Sequence, residues 1–213
     1  MIDESIADPD PSARRELMEA LAQAFRDNPM NVAIHGSRPK RRVRANRAGL
    51  RALVLDTERE TVTRVIRHEG KVVGGFVAVP PGGFPLSSPS VGRWIGCFLG
   101  QGARAMDQWR SVTDSLGLYH PEKDHWYLAV LGIVPWLQGH GFGSRLMGEL
   151  DRLVESDPHP VYLESDRESS VRFYLARGFE PRDETNLLDV HCWCLGRGFG
   201  GANGDLCDSV REL

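Results

Sequence analysis

Residues 126–154 read WYLAVLGIVPWLQGHGFGSRLMGELDRLV, and this stretch decides the fold. Its first nine residues, Trp126 to Val134, carry no charge, which is too continuous for a strand wet on one face and predicts a central strand. From Phe142 onward the apolar residues Phe142, Leu146, Met147, Leu150, Leu153 and Val154 recur at i, i+4, i+5, i+8, i+11 and i+12, a helical spacing. Between the two, Gln138-Gly139-His140-Gly141-Phe142-Gly143 must turn the chain sharply and present several backbone N–H groups at a helix N-terminus. A turn of this kind is a cradle for phosphate. Gly139, Gly141 and Gly143 allow conformations and a closeness of approach that side chains forbid. No Lys-Ser or Lys-Thr follows, as a P-loop requires, and the glycines run G-x-G-x-G rather than G-x-G-x-x-G.

Outward from this stretch, residues 1–11 carry four acids and two prolines and read as a loose leader ending where Ser12 caps a helix. That helix runs to about Arg26 on a stripe of Leu17, Leu21, Ala24 and Phe25, and Asp27-Asn28-Pro29 stops it. Residues 38–51 are basic, and on a helix Lys40, Arg44, Arg47 and Arg51 form one stripe, read as a solvated face. Thr61 to Arg67, the turn His68-Glu69-Gly70-Lys71 and Val72 to Val79 form a hairpin. Residues 80–92 hold four prolines and three glycines and read as a loop walling the acceptor side, followed by a helical region to about Leu118. Val161 to Leu163 is a short strand, Ser169 to Arg177 a short helix closed by Gly178, and Val190 to Leu195 a last strand. The organisation expected is one domain over 12–195 and a Gly-rich tail over 196–213.

The chain has 213 residues, with 26 Lys and Arg against 29 Asp and Glu, a formal charge of −3. No global field holds such a protein on nucleic acid or anionic lipid, and no aromatics interleave the basic stripe to stack bases. Neither nucleic acid nor membrane is expected as a partner, and a homodimer is left open. The acidic N-terminus lacks a signal-peptide profile, and no apolar run reaches the length of a membrane span. Cys97, Cys192, Cys194 and Cys207 contain no C-x-x-C pair; the thiols of Cys192 and Cys194 are expected on opposite faces of their strand, without disulfide or shared metal. A cytoplasmic location is expected. The seven histidines are scattered, so no metal is expected.

Gln138 to Gly143 is similar, at every required position, to the Q/R-x-x-G-x-G/A pyrophosphate motif of the GNAT superfamily of acyl-CoA-dependent N-acetyltransferases. Tyr162-Leu163-Glu164-Ser165, then Phe173-Tyr174 with Arg177-Gly178-Phe179-Glu180, resemble its second signature. Ala24-Phe25, Asn28-Pro29, Trp126 to Ala129 and Trp193-Cys194 look most like the puromycin N-acetyltransferase type. The resemblance covers roughly residues 12–195. It implies an α/β (α+β) fold with a mixed, mostly antiparallel sheet, splayed central strands and helices on both faces.

The resemblance also implies acetyl-CoA as co-substrate. Backbone amides of Gln138, Gly139, His140, Gly141, Phe142, Gly143 and Ser144 would bind its pyrophosphate, aided by the helix dipole. The main chain of Leu131, Ile133 and Val134 would run beside the pantetheine arm, with the amide of Ile133 or Val134 stabilising the oxyanion. Tyr174 matches the family's tyrosine near the sulfur, as general acid. Glu164 is the candidate base, with a surface acid or a capping partner for Ser169 and Ser170 as the plainer reading; His120, Asp124 and His125 are reserves. The implied reaction is acetyl transfer to a primary amine of a small, antibiotic- or metabolite-like molecule. A protein N-acetyltransferase, a CoA-binding sensor without turnover and a nucleotide enzyme are the alternatives. Departures from the family pattern are His140 in place of Lys or Arg, Trp136 at a usually polar position where packing against the adjacent loop is expected, Ser170 in place of Asn, and a truncated first strand.

Overall fold

The computed structural model describes residues 5–55 and 60–200; Cys207 and most of the expected tail lie outside them. In chain order the elements are β1 (Ile6–Ala7), α1 (Pro11–Ala24), α2 (Pro29–His35), α3 (Pro39–Val54), β2 (Val62–His68), β3 (Lys71–Val79), α4 (Val91–Gln101), α5 (Ala103–Gly117), β4 (Trp126–Ile133), α6 (Phe142–Val154), β5 (Val161–Ser165), α7 (Glu168–Leu175), β6 (Glu180–Leu187) and β7 (Val190–Arg197). The strands form one sheet in the order β1-β2-β3-β4-β5-β7-β6. All neighbours are antiparallel except β4 and β5.

Alternation along the strands divides the core between the two faces of the sheet. Ile66, Phe76 and Leu163 pack with Leu146, Met147 and Leu150 of α6. Their strand neighbours Val65 and Val77 pack with Leu17 and Leu21 of α1 and Val54 of α3 on the other face. Farther along that second face Cys192 of β7 meets Met30 and Ile34 of α2 and Val112 of α5. Gly132 lets α1 lie close, since a Cβ there would stand 2.9 Å from Leu21 and 3.0 Å from Ala24. No helix among the described residues is long and apolar enough to cross a membrane.

The structure differs from the sequence reading at several points. Asp10, not Ser12, caps α1, its carboxylate accepting from the amides of Ser12 and Ala13 at 2.8 Å, with Pro11 in the first turn. Ile6 and Ala7, read as loose leader, pair with Ile66 and Val65. Two further elements are absent from the sequence reading. Helix α2 starts directly after Asn28, its Met30 amide held by Asp166 at 2.8 Å. Strand β6, EPRDETNL, is an edge strand whose charges reach water, and Leu188 and Asp189, both at positive φ, turn it into β7. The basic stretch is not one solvated face. Arg42 is buried, donating to the carbonyls of Arg26 at 2.7 Å and Gly36 at 2.9 Å and to Asp27 at 2.6 Å, while Arg47 pairs with Glu19. Trp136 is 67% exposed rather than packed. Cys192 and Cys194 share a face, as residues two apart on a strand do, and both are buried free thiols.

His35, at the end of α2, accepts the Trp109 indole N–H at 3.2 Å, and burial, with the Arg41 charge nearby, pushes its pKa down to about 4. The folded protein therefore refuses a proton that the unfolded chain takes up below pH ~6.5. Stability is fully present above that value and falls as the pH drops toward 4, by about 3 kcal/mol. Urea unfolding at pH 7 and pH 4 checks this. His35→Gln, which retains an acceptor for Trp109 and does not titrate, is expected to flatten that part of the profile; an unchanged profile would remove His35 as its source.

Candidate active site

The glycine turn forms because two residues take up left-handed backbone, Gly139 at φ 81° and Gly141 at φ 85°. Gly141 is the N-cap of α6 and offers no side chain to its amides, and the first turn of the helix contains no acid. The first backbone bond of the helix runs from the Arg145 amide to the Gly141 carbonyl, so the amides of Phe142, Gly143 and Ser144 have no helical acceptor. Gly139, His140 and Gly141 are exposed. Phe142 turns its ring into the core and gives the turn only its backbone. The Gln138 side chain is used internally, donating to the Ile133 carbonyl at 3.0 Å and tying the turn to β4. Arg177 belongs to the second signature. It lies over the Phe173 ring and donates to Ser144 Oγ at 2.6 Å, placing a cation at the helix N-terminus.

Beside the turn the sheet opens. β4 and β5 pair only at Trp126 with Val161 and Tyr127 with Tyr162, after which they diverge. The Val134 amide donates to the Val73 carbonyl at 2.9 Å, which removes Val134 as an oxyanion donor. Antiparallel alternation then turns the amides of Leu131 and Ile133 away from β3, toward the gap. Of the two expected donors, only the Ile133 amide is turned toward the gap.

Glu164 and Tyr174 lie on opposite faces of the sheet. Tyr174, on α7, is buried in the α6 face of the core, edge-on to Phe173 and Phe179, and burial pushes its phenol pKa up. Its hydroxyl makes no hydrogen bond among the described residues. Glu164 is next to Leu163 on β5 and so faces the other way, where it does not cap α7; its Oε1 lies 2.8 Å from His120 Nε2, with the two side chains 10% and 6% exposed. His120 Nδ1 is 3.2 Å from His125 Nε2, and His125 Nδ1 is 2.8 Å from the Lys123 carbonyl. Phe84, from the loop over residues 80–90, stacks on His120 at 3.5 Å between centroids, and Tyr127 and Tyr162 complete the surround. Burial beside Glu164 pushes both tyrosines well up. Thus two of the three reserve candidates join Glu164, whereas Asp124 stays exposed.

The sequence model described as the Acetyltransferase (GNAT) family matches residues 15–179. The chain belongs to the GNAT acetyltransferase family. Solved structures agree on the GNAT fold. The "histone acetyltransferase HPA2 and related acetyltransferase" of Corynebacterium glutamicum superposes with a TM-score of 0.68 at 18% identity, covering 94% of this chain and 98% of that one. The Drosophila melanogaster polyamine N-acetyltransferase, which forms N-acetylagmatine, gives 0.56 at 18% identity over 91% and 99%. A Thermoplasma acidophilum PaiA N-acetyltransferase in complex with coenzyme A gives 0.55 at 11% identity over 92% and 98%. Within this GNAT fold the sequence reading missed the contact between the histidines and Glu164, because it joins a loop to a strand some forty residues on. The one available signal was the alternation that puts Tyr127, Tyr162 and Glu164 on a common face.

Proposed function

We propose that the protein is an acetyl-CoA-dependent N-acetyltransferase that moves an acetyl group directly to a primary amine of a small molecule. The observation that carries this reading is the uncapped, acid-free N-terminus of α6 opening onto the gap between β4 and β5. The residues present fit a pyrophosphate: a Cβ at Gly139 or Gly141 would meet nothing within 4 Å, and Arg177 adds positive charge. The amides of Gly139 to Ser144 would hold it, and the main chain of Leu131 to Ile133 would line the pantetheine arm. When bound, the co-substrate supplies a thioester activated for acyl transfer. The Ile133 N–H would stabilise the developing oxyanion, Glu164 would accept the amine's proton directly or through water, and the neutral Tyr174 phenol would donate to the departing thiolate. The near-complete cover of His120 and Glu164 suits a small amine better than a protein chain. The puromycin-type likeness of Trp126 to Ala129 favours an antibiotic- or metabolite-like acceptor.

The test is thermal melting with acetyl-CoA, CoA, NAD and ATP in parallel, followed by CoA release across a panel of amines. A ligand at about 100 times its dissociation constant adds roughly 2.7 kcal/mol, several degrees of melting temperature. Shifts with acetyl-CoA and CoA alone, then amine-dependent CoA release, are expected. A shift without release would make the protein a sensor, and a shift with NAD or ATP alone would overturn the reading. In the same assay Tyr174→Phe is expected to lower kcat about a hundredfold with CoA affinity retained; an unaffected rate would remove Tyr174 as the acid.

A further inference from the structure

We propose that the array of His125, His120 and Glu164 holds one proton more than two neutral imidazoles and a carboxylate, and that His125 is the positioning residue that keeps it there. A carbonyl oxygen only accepts, so the His125 Nδ1 facing the Lys123 carbonyl carries a hydrogen. Three contacts then follow one another, the last of them close but off straight hydrogen-bond geometry: Lys123 carbonyl to His125 at 2.8 Å, His125 to His120 at 3.2 Å and His120 to Glu164 at 2.8 Å. Each joins two electronegative atoms and needs a proton between them. Two neutral rings bring two. The third must come from solution, whichever ring or carboxyl oxygen carries it.

Its place follows from the surroundings. Burial, with the His120 ring nearby, holds His125 below the usual histidine range, which leaves the third proton at the His120–Glu164 end. The Tyr127 hydroxyl also serves the Glu164 carboxylate, but the carboxylate's Oε1 is buried without a straight hydrogen bond, so positive charge on the facing ring 2.8 Å away compensates that oxygen. Phe84 presents its ring face to His120. The remaining titratable groups that face the array from the packed strands are Tyr127 on β4, Tyr162 on β5 and Cys192 and Cys194 on β7, both thiols pushed up to about 12 by burial, and all four stay neutral. Asp124, on the loop before β4, acts on His125 through space. None of these supplies the third proton.

The kinetic consequence rests on the proposed acetyl transfer. If the array is to accept a proton from an amine, it must first release the one it holds. Removing the acceptor on His125 frees His120 to carry its single hydrogen on Nε2, satisfying Glu164 with no extra proton. His125→Phe is therefore expected to move the acidic limb of kcat/KM to lower pH by about one unit, the titration belonging to the array rather than to one residue. His125→Gln, which restores an acceptor for His120, is expected to return the limb to its original place.

The direct readout needs no turnover: a long-range ¹H–¹⁵N correlation spectrum of histidine-labelled protein at neutral pH, with the Glu164 carboxyl followed by ¹³C. His120 doubly protonated, or protonated on Nδ1 beside a protonated Glu164, is the expected result. A neutral His120 with hydrogen on Nε2 alone, or on Nδ1 beside an ionised Glu164, would overturn the proposal. A merely structural His125 would change the melting temperature of both variants and leave the pH limb where it was. If His125→Phe does not fold, the spectrum of the parent protein decides. If no amine is acetylated, the spectrum still tests the array while the proposed reaction fails separately.

Discussion

Glu164→Gln is expected to lower kcat at neutral pH by about 10²–10⁴-fold while leaving CoA affinity close to that of the parent. The side chain keeps its shape, and it faces away from the α6 turn that would hold the co-substrate, so binding has no reason to change. Proton acceptance does change. An amine reaches the site mostly as ammonium near neutrality, and an amide cannot take its proton. The deficit is expected to shrink as pH rises toward the pKa of the amine, because an already neutral nucleophile needs no base. Single-turnover rates at pH 7 and pH 9.5 with one amine measure both parts. Parent-like turnover at pH 7 would assign the proton to another acceptor.

Gly141→Val is expected to raise the dissociation constant for CoA at least about a hundredfold, or ~2.7 kcal/mol. No wall stands against the new side chain, since a Cβ at this position meets nothing within 4 Å. The cost is in the backbone. At φ 85° and ψ −7° a residue with a Cβ pays ~1–2 kcal/mol, and a β-branched one gains most by rotating out of that well. Rotation would swing the amides of Phe142 and Gly143 off their common target and place a side chain where an anion must come close. Gly141→Asn separates the two causes, because Asn tolerates left-handed backbone, and is expected to lose less affinity. Isothermal titration of CoA into both variants measures the difference. Unchanged affinity in the valine variant would remove the cradle.

What was legible in the sequence was what short-range chemistry dictates. The uncharged run from Trp126 to Val134, the helical spacing of Phe142 to Val154 and the glycines between them fixed the centre of the sheet and the turn beside it. Positive φ at Glu69 and Gly70 bears out the hairpin turn read between β2 and β3. What escaped depended on distant partners. Strand β6 is polar because it forms an edge, and a polar run carries no strand period. Asp10 outcompeted Ser12 for the cap of α1 because the helix begins two residues earlier than a cap at Ser12 implies, on a proline. Arg42 read as one more cation of a solvated stripe, yet the carbonyls of Arg26 and Gly36 and the carboxylate of Asp27 meet at its guanidinium. Which of the Ile133 and Val134 amides is left unclaimed by β3 is a matter of register, which no local pattern shows.

The divergence of β4 from β5 divides the sheet mechanically. Four strands on one side and three on the other share only two backbone residue pairs, and the core under α6 is what otherwise holds the halves together. A chain-like ligand laid along Leu131 and Ile133 would act as a missing strand, splinting the two halves. Substrate capture and the rigidity of the protein would then draw on the same main-chain hydrogen bonds, and the sheet would be stiffest while its site is filled.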